Sequence, residues 1–239
     1  MTSVLASRRP ILCLVTDRRR LGPPGRMADV EPVVAQVRAA ARAGVDLVQV
    51  RERDLEAGPL ATLVSACVEA ARGSQLRVLV NDRLDVAVAS GAHGVHLRSD
   101  SLPADRVRAM APEGFLLGRS VHGEREARTV ASTGVLDYLV FGTVFSTGSK
   151  PPGHLTAGVE TLDRVARSVP VPVLGIGGID AARLPMVAGT AAAGIAAIGY
   201  FAEAASGERQ APAGRLGQRV EYAHRCFAGA TTPTKGMIR

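Results

Sequence analysis

Tryptophan is absent from this sequence of 239 residues, and aromatic side chains make up only 3% of it. The aromatic platform on which single-stranded nucleic acid stacks is therefore missing. Lysine is scarce as well: of 29 basic residues only Lys150 and Lys235 are lysines, the rest being arginine. A chain so committed to forked guanidinium groups keeps a compact ammonium at position 150, which draws attention to that loop. The three cysteines, Cys13, Cys67 and Cys226, share no paired spacing, so free thiols in a reducing compartment are expected. No apolar run approaches the roughly 20 residues of a membrane helix. The opening "MTSVLASRRPILCLVTD" ends its short run in charge and lacks a small-residue cleavage site, so a cytoplasmic protein without a membrane partner is expected. Formal net charge is +7, but the arginines are scattered through helix-like segments and form no basic arm. Small phosphorylated ligands, and no nucleic acid, are the expected anionic partners.

Hydrophobic content of 46% supports a sizeable core, built here from Val, Leu, Ile and Ala. That mixture fills parallel sheets buried on both faces. Strand-length runs recur as "ILCLVTD", "DLVQVRE", "RVLVND", "GVHL", "FLLGRSVH", "YLVFGTV", "VPVLGIGG" and "GIAAIGY". Amphipathic stretches of helix length separate them, from "VEPVVAQVRAAARAG" to "DAARLPMVAGTAAA", and "GRLGQRVEYAHRCFAG" fits a closing helix. Eight such units predict an α/β fold of a single (β/α)8 barrel over residues 11–228, with flexible ends at 1–10 and 229–239. An open doubly wound sheet would place a glycine fingerprint after the first strand, and "VTDRRRLG" is not one. The segment "STGSKPPGHLTAG" is a long internal loop, and closure of residues 146–158 over a ligand is left open.

Active sites of such barrels lie at the C-terminal mouth, so polar strand tips are the candidates. In "QVRER" the alternation puts Gln49, Arg51 and Arg53 on one face. Those guanidiniums either fork onto phosphate oxygens or pair with Glu52 and Asp54. "GIGGI" at strand seven offers bare backbone at Gly177 and Gly178 for a phosphate. Asp82 in "VNDR" either caps the next helix or ligates Mg2+ beside Asn81. His96 reads as a satisfied barrel histidine, and no histidine pair has zinc spacing. His122 in "LGRSVHGE" shares its strand face with Ser120 and either opens the next helix or carries a proton at neutral pH.

Taken in order, "LVTDR", "VQVRERD", "VNDRLDVAVASGAHGVHL", "LGRSVH", "DYLVFGTVFSTGSK", "LGIGGI" and "GIAAIGYF" resemble the thiamine phosphate synthase / TenI superfamily from about residue 11 to 203. The resemblance implies a barrel that binds a thiazole phosphate. In the synthase branch this ligand is joined to hydroxymethylpyrimidine diphosphate with Mg2+ and release of pyrophosphate. By resemblance, Gln49, Arg51, Arg53, Asn81 and Lys150 meet the pyrimidine diphosphate, and Thr147 and Ser149 fill the two hydroxyl positions before the lysine. Gly178, Ile198 and Gly199 hold the thiazole phosphate, and Asp82 binds the metal. The synthase pattern also carries an acidic metal ligand two residues before the helix-opening proline; in "RSDSLP" that slot is Ser101, with Asp100 one place early. With one carboxylate in register where a diphosphate leaving group calls for a cation clamp, the expectation is a TenI-like thiazole tautomerase. It would be an isomerase without cofactor, using His122 as general acid/base. The alternatives are the Mg2+-dependent synthase with Asp82 and Asp100 as ligands, and a non-catalytic phosphate-binding barrel. Homo-oligomerisation is left open.

Overall fold

The computed structural model describes residues 5, 10–21, 30–148, 153, 155–205 and 212–230. Its strands are β1 (Ile11–Val15), β2 (Leu47–Val50), β3 (Arg77–Asn81), β4 (Gly94–Leu97), β5 (Leu116–Val121), β6 (Tyr138–Gly142), β7 (Val173–Ile176) and β8 (Gly194–Ala197). Each pairs in parallel with its successor, and β8 returns to β1, so the sheet closes in sequence order. The helices are α1 (Glu31–Ala43), α2 (Ala57–Ala70), α3 (Leu84–Ala89), α4 (Ala104–Met110), α5 (Glu124–Ala131), α6 (Gly158–Ser168), α7 (Leu184–Ala188), α8 (Gly199–Ala205) and α9 (Pro212–Gly229). This is the (β/α)8 barrel that the repeated units predict.

Two apolar layers explain why the strands read as nearly continuous hydrophobic runs. Leu12, Leu14, Val48, Val50, Val78 and Val80 face outward under the helices. Ile11, Cys13, Val15, Leu47 and Leu79 alternate with them and fill the barrel interior. Burial on both sides is the condition of a parallel sheet. The interior also takes Tyr138, whose ring lies over Gly118; a Cβ there would come within 2.1 Å of the ring. Burial pushes the Cys13 and Cys67 thiols up to about 12, which leaves them protonated and inert.

The helix boundaries depart from expectation in two places. The stretch from Asp180 yields only the short α7, because Asp180 Oδ1 accepts from the Arg183 amide at 2.9 Å and holds a turn there. The eighth run does not stay extended to Tyr200: β8 stops at Ala197, and the Ile198 carbonyl accepts from Phe201 and Ala202 to start α8. Of the expected flexible ends, residues 1–4, 6–9 and 231–239 lie outside the described residues; Leu5 is buried among the interior side chains.

Candidate active site

A cavity of about 650 Å³ opens at the C-terminal ends of the strands. That volume falls within the range that takes a small ligand or two. Of the sequence-predicted residues that the structure describes, all but Asp82 line it. Ser149 and Lys150 lie outside the described residues, as does most of the 149–154 stretch on which loop closure would depend.

The β2 side is built on an ion-pair network. Thr16 Oγ1 donates to Glu52 Oε1 at 2.7 Å and accepts from the Arg51 amide at 3.0 Å, which locks the β2 tip to β1. Glu52 and Asp54 are taken by Arg18: Nη1 reaches Glu52 at 3.1 Å, and the fork meets both Asp54 oxygens at 2.6 and 2.5 Å. Arg18 holds the Asp54 carboxyl well below the usual carboxylate range. The pairing of Arg51 and Arg53 with these acids therefore gives way to the other reading. Among the described residues no carboxylate forms an ion pair with either guanidinium, and both face the cavity. Burial, and next the charge of Arg53, lowers Arg51 from its ordinary value, and Arg98 adds to that repulsion. An arriving anion relieves it. Between the arginines and the barrel floor, Gln49 Nε2 donates to Asn81 Oδ1 at 3.0 Å.

Asp82 does not cap α3, whose first turn has no side-chain cap. It adopts the left-handed region at φ 59°, uncommon for a residue with a side chain. Its carboxylate accepts from the Ser101 hydroxyl and faces Arg98 Nη1 at 3.7 Å. Arg98 also pairs with Asp100, which lines the cavity. From behind, the buried Arg119 donates to the carbonyls of Ser99, Leu102 and Ser101 at 2.7, 2.9 and 3.2 Å. The β4–α4 connection is thus gathered round one guanidinium and carries another on its face.

At the floor, His96 bridges Tyr138 and Ser120, its Nδ1 3.0 Å from the phenol and its Nε2 2.9 Å from Oγ. Burial pushes its pKa down to about 3, so it is the neutral barrel histidine expected. His122 follows β5 at the rim. Its Nδ1–H donates to the Gly142 carbonyl at 2.6 Å, which fixes the ring at the cavity wall. Across the ring, Gly177 and Gly178 have φ of 105° and 62°. A Cβ on Gly178 would lie 2.3 Å from the Ser146 carbonyl oxygen, and one on Gly177 2.5 Å from Thr143. Ile198 and Gly199 line the cavity beside them at the start of α8, where the amides ahead of Phe201 have no preceding helical turn to donate to. Thr147 lines the same side.

Three arginines escaped the sequence reading: Arg20, Arg98 and Arg183 also line the cavity. Arg98 directly follows β4, so the strand-tip rule applied to "GVHL" would have found it. Arg183 donates to the Gly178 carbonyl at 2.8 Å and stacks over Phe145, a link with no local signature in the sequence.

A family model described as thiamine monophosphate synthase matches residues 12–201. The chain belongs to that family. It is 37% identical over 192 residues to a thiamine-phosphate synthase of Roseiflexus castenholzii, covering 80% of this chain and 81% of that one. To a thiamine-phosphate synthase of Anaeromyxobacter dehalogenans it is 37% identical over 214 residues, covering 90% and 94%. Among solved structures, thiamine phosphate pyrophosphorylase from Pyrococcus furiosus aligns with a TM-score of 0.72 at 29% identity, over 90% of this chain and 96% of that one. These relatives overturn the tautomerase expectation. The chain is a synthase-type family member, and the isomerase role given to His122 falls with the tautomerase expectation. The expectation rested on the serine at 101, yet the structure sets Ser101 against Asp82 and brings Asp100 to the cavity, so that one slot does not measure the acidity of the site.

Proposed function

We propose that the protein joins hydroxymethylpyrimidine diphosphate to a thiazole phosphate, releasing pyrophosphate and forming thiamine phosphate. The observation that carries this reading is that one cavity has two sides suited to anions. Arg51, Arg53 and Arg98 stand over β2 to β4, while the Gly177–Gly178 turn and the start of α8 stand over β7 and β8. In a ring of eight strands β3 and β7 are opposite, so the two sides face each other. An isomerase of one thiazole carboxylate phosphate needs, beyond its phosphate cradle, a partner for a single carboxylate; three guanidiniums on the facing side suit the larger charge of a diphosphate.

In the reaction the bond from the pyrimidine methylene carbon to the diphosphate oxygen breaks, and its electron pair leaves with the diphosphate. The thiazole nitrogen supplies the pair for the new C–N bond. No proton has to move in that exchange. The site's work is therefore to bind the two anions, aim one substrate at the other and stabilise the charge developing on the leaving group. Arg51 and Arg53 bind the diphosphate by their forks. Gln49 faces the pyrimidine, Asn81 adds a contact to the diphosphate, the glycine amides hold the thiazole phosphate, and Ser120 with His122 lines the space where the rings meet. By resemblance Lys150 is assigned to the diphosphate, and Ser149 with Thr147 to the substrate-binding hydroxyl positions before it.

The residues beside Asp82 suit Mg2+ in donor type: carboxylates at 82 and 100 and a hydroxyl at 101, all oxygen. Among the described residues no group of three or more His, Cys, Asp and Glu is placed to hold a metal. Asp82 and Asp100 would accordingly hold Mg2+ only together with diphosphate oxygens, the usual habit of this ion. When bound it would neutralise charge on the leaving group.

Three free cysteines support a reducing compartment and hence the cytoplasm. No helix among the described residues is long and apolar enough to cross a membrane. Incubation of the purified protein with both substrates and Mg2+ tests the function. Pyrophosphate and thiamine phosphate should appear in equal amounts, and only when both substrates are present. Conversion of a thiazole carboxylate phosphate between its isomers, with no pyrophosphate released, would refute the reading.

A further inference from the structure

Arg98 stands between the acids of the β4–α4 connection and the arginine side of the cavity. Its guanidinium lies across the two carboxylates assigned to Mg2+, paired with Asp100 and 3.7 Å from Asp82 Oδ2. It also lines the cavity beside Arg51 and Arg53, close enough to bear on the charge of Arg51. One cation thus faces both the acids and the space where a diphosphate would rest. The backbone beneath it is anchored: Arg119 grips three carbonyls of the same connection, and the Arg98 amide donates to Ser101 Oγ at 2.8 Å. The Arg98 side chain itself is 42% exposed. It can turn while the loop stays in place.

We propose that Arg98 is an exchangeable counter-ion. In the free protein it neutralises Asp82 and Asp100; when a diphosphate enters, its fork transfers to the phosphate oxygens and leaves the carboxylates to a divalent cation. The identity of the diphosphate rests on the synthase reading, whereas the exchange itself rests on the ion pairs. A metal arriving alone must compete with the guanidinium for the carboxylates, and a metal arriving with diphosphate need not. Metal and diphosphate therefore strengthen each other's binding by the same factor. A guanidinium suits this exchange because its planar fork fits carboxylate and phosphate alike.

The test uses Mn2+ alone, followed by electron paramagnetic resonance, and inorganic pyrophosphate alone in the presence of chelator, followed by calorimetry. In R98A, Mn2+ should bind about two- to five-fold more tightly, the gain expected from removing an exposed competing ion pair. Pyrophosphate should bind about ten-fold more weakly, the loss expected from removing one charged hydrogen-bonding group. A role confined to bracing the loop would weaken both, and a passive surface residue would change neither; each of those outcomes overturns the exchange. R98K provides the check if R98A does not fold. It keeps the charge and loses the fork, so Mn2+ affinity should stay near wild type while pyrophosphate affinity falls, and unchanged pyrophosphate affinity would contradict the proposal. The two readings can fail separately. Wild-type protein that forms thiamine phosphate while R98A binds both probes normally refutes only the exchange. Opposed shifts in R98A, with no product from the wild type, refute only the synthase reading.

Discussion

His96 sits between Tyr138 and Ser120 with its pKa pushed down to about 3 by burial, whereas in an unfolded chain it titrates near 6.5. Between those values the unfolded state binds a proton that the native state refuses. Stability from this group is complete above about pH 6.5 and declines as pH falls toward 3, by at most about 1.4 kcal/mol per pH unit. Denaturant melts of His96→Gln across that window should show a shallower acid slope than wild type, and parallel slopes would contradict this account of His96. Gly178 makes a different demand. Its φ of 62° and the Ser146 carbonyl leave no room for a Cβ, so Gly178→Ala should cost about 1–3 kcal/mol and raise KM for the thiazole phosphate above all. The polar strand tips that form the cavity could be read from the chain, because side-chain alternation and tip position follow from a strand assignment alone. Their partners could not. Glu52 and Asp54 looked equally available to Arg51 and Arg53, and only the closed ring shows Arg18, more than thirty residues earlier, taking both.

The connection between β4 and α4 depends on a residue from the next strand. Arg119 is buried, and its fork holds carbonyls at Ser99, Ser101 and Leu102, so it positions Asp100 and Ser101 without facing the cavity. Lysine offers a single ammonium in place of that fork. Arg119→Lys is expected to raise KM for the pyrimidine diphosphate and leave KM for the thiazole phosphate nearly unchanged. Equal rises in both would show a general loss of structure instead. At this scale the eight strands were legible, since runs of Val, Leu and Ile between amphipathic segments have few other solutions. The end of β8 was not. "GIAAIGY" is apolar throughout, periodicity does not separate a buried strand from a buried helix in so short a run, and the helix that opens at Gly199 is declared by the Ile198 carbonyl rather than by composition.

Over the whole molecule, closing the ring brings the arginines after β2 and β4 to face the glycines after β7 across one cavity. On the proposed reading the glycine side would serve either chemistry, and the three guanidiniums opposite it suit a diphosphate better than a lone carboxylate. Ser101 drew the sequence reading toward the tautomerase because a missing carboxylate was weighed by its position in the chain. In space Asp100, Asp82 and three guanidiniums gather at the same edge. The most direct measurement is calorimetric titration of thiazole phosphate into protein saturated with pyrophosphate and Mg2+. Two opposed anion sides predict simultaneous binding, with an affinity for the thiazole phosphate close to that in free protein. Mutual displacement of the two ligands would show a single anion site and contradict the account.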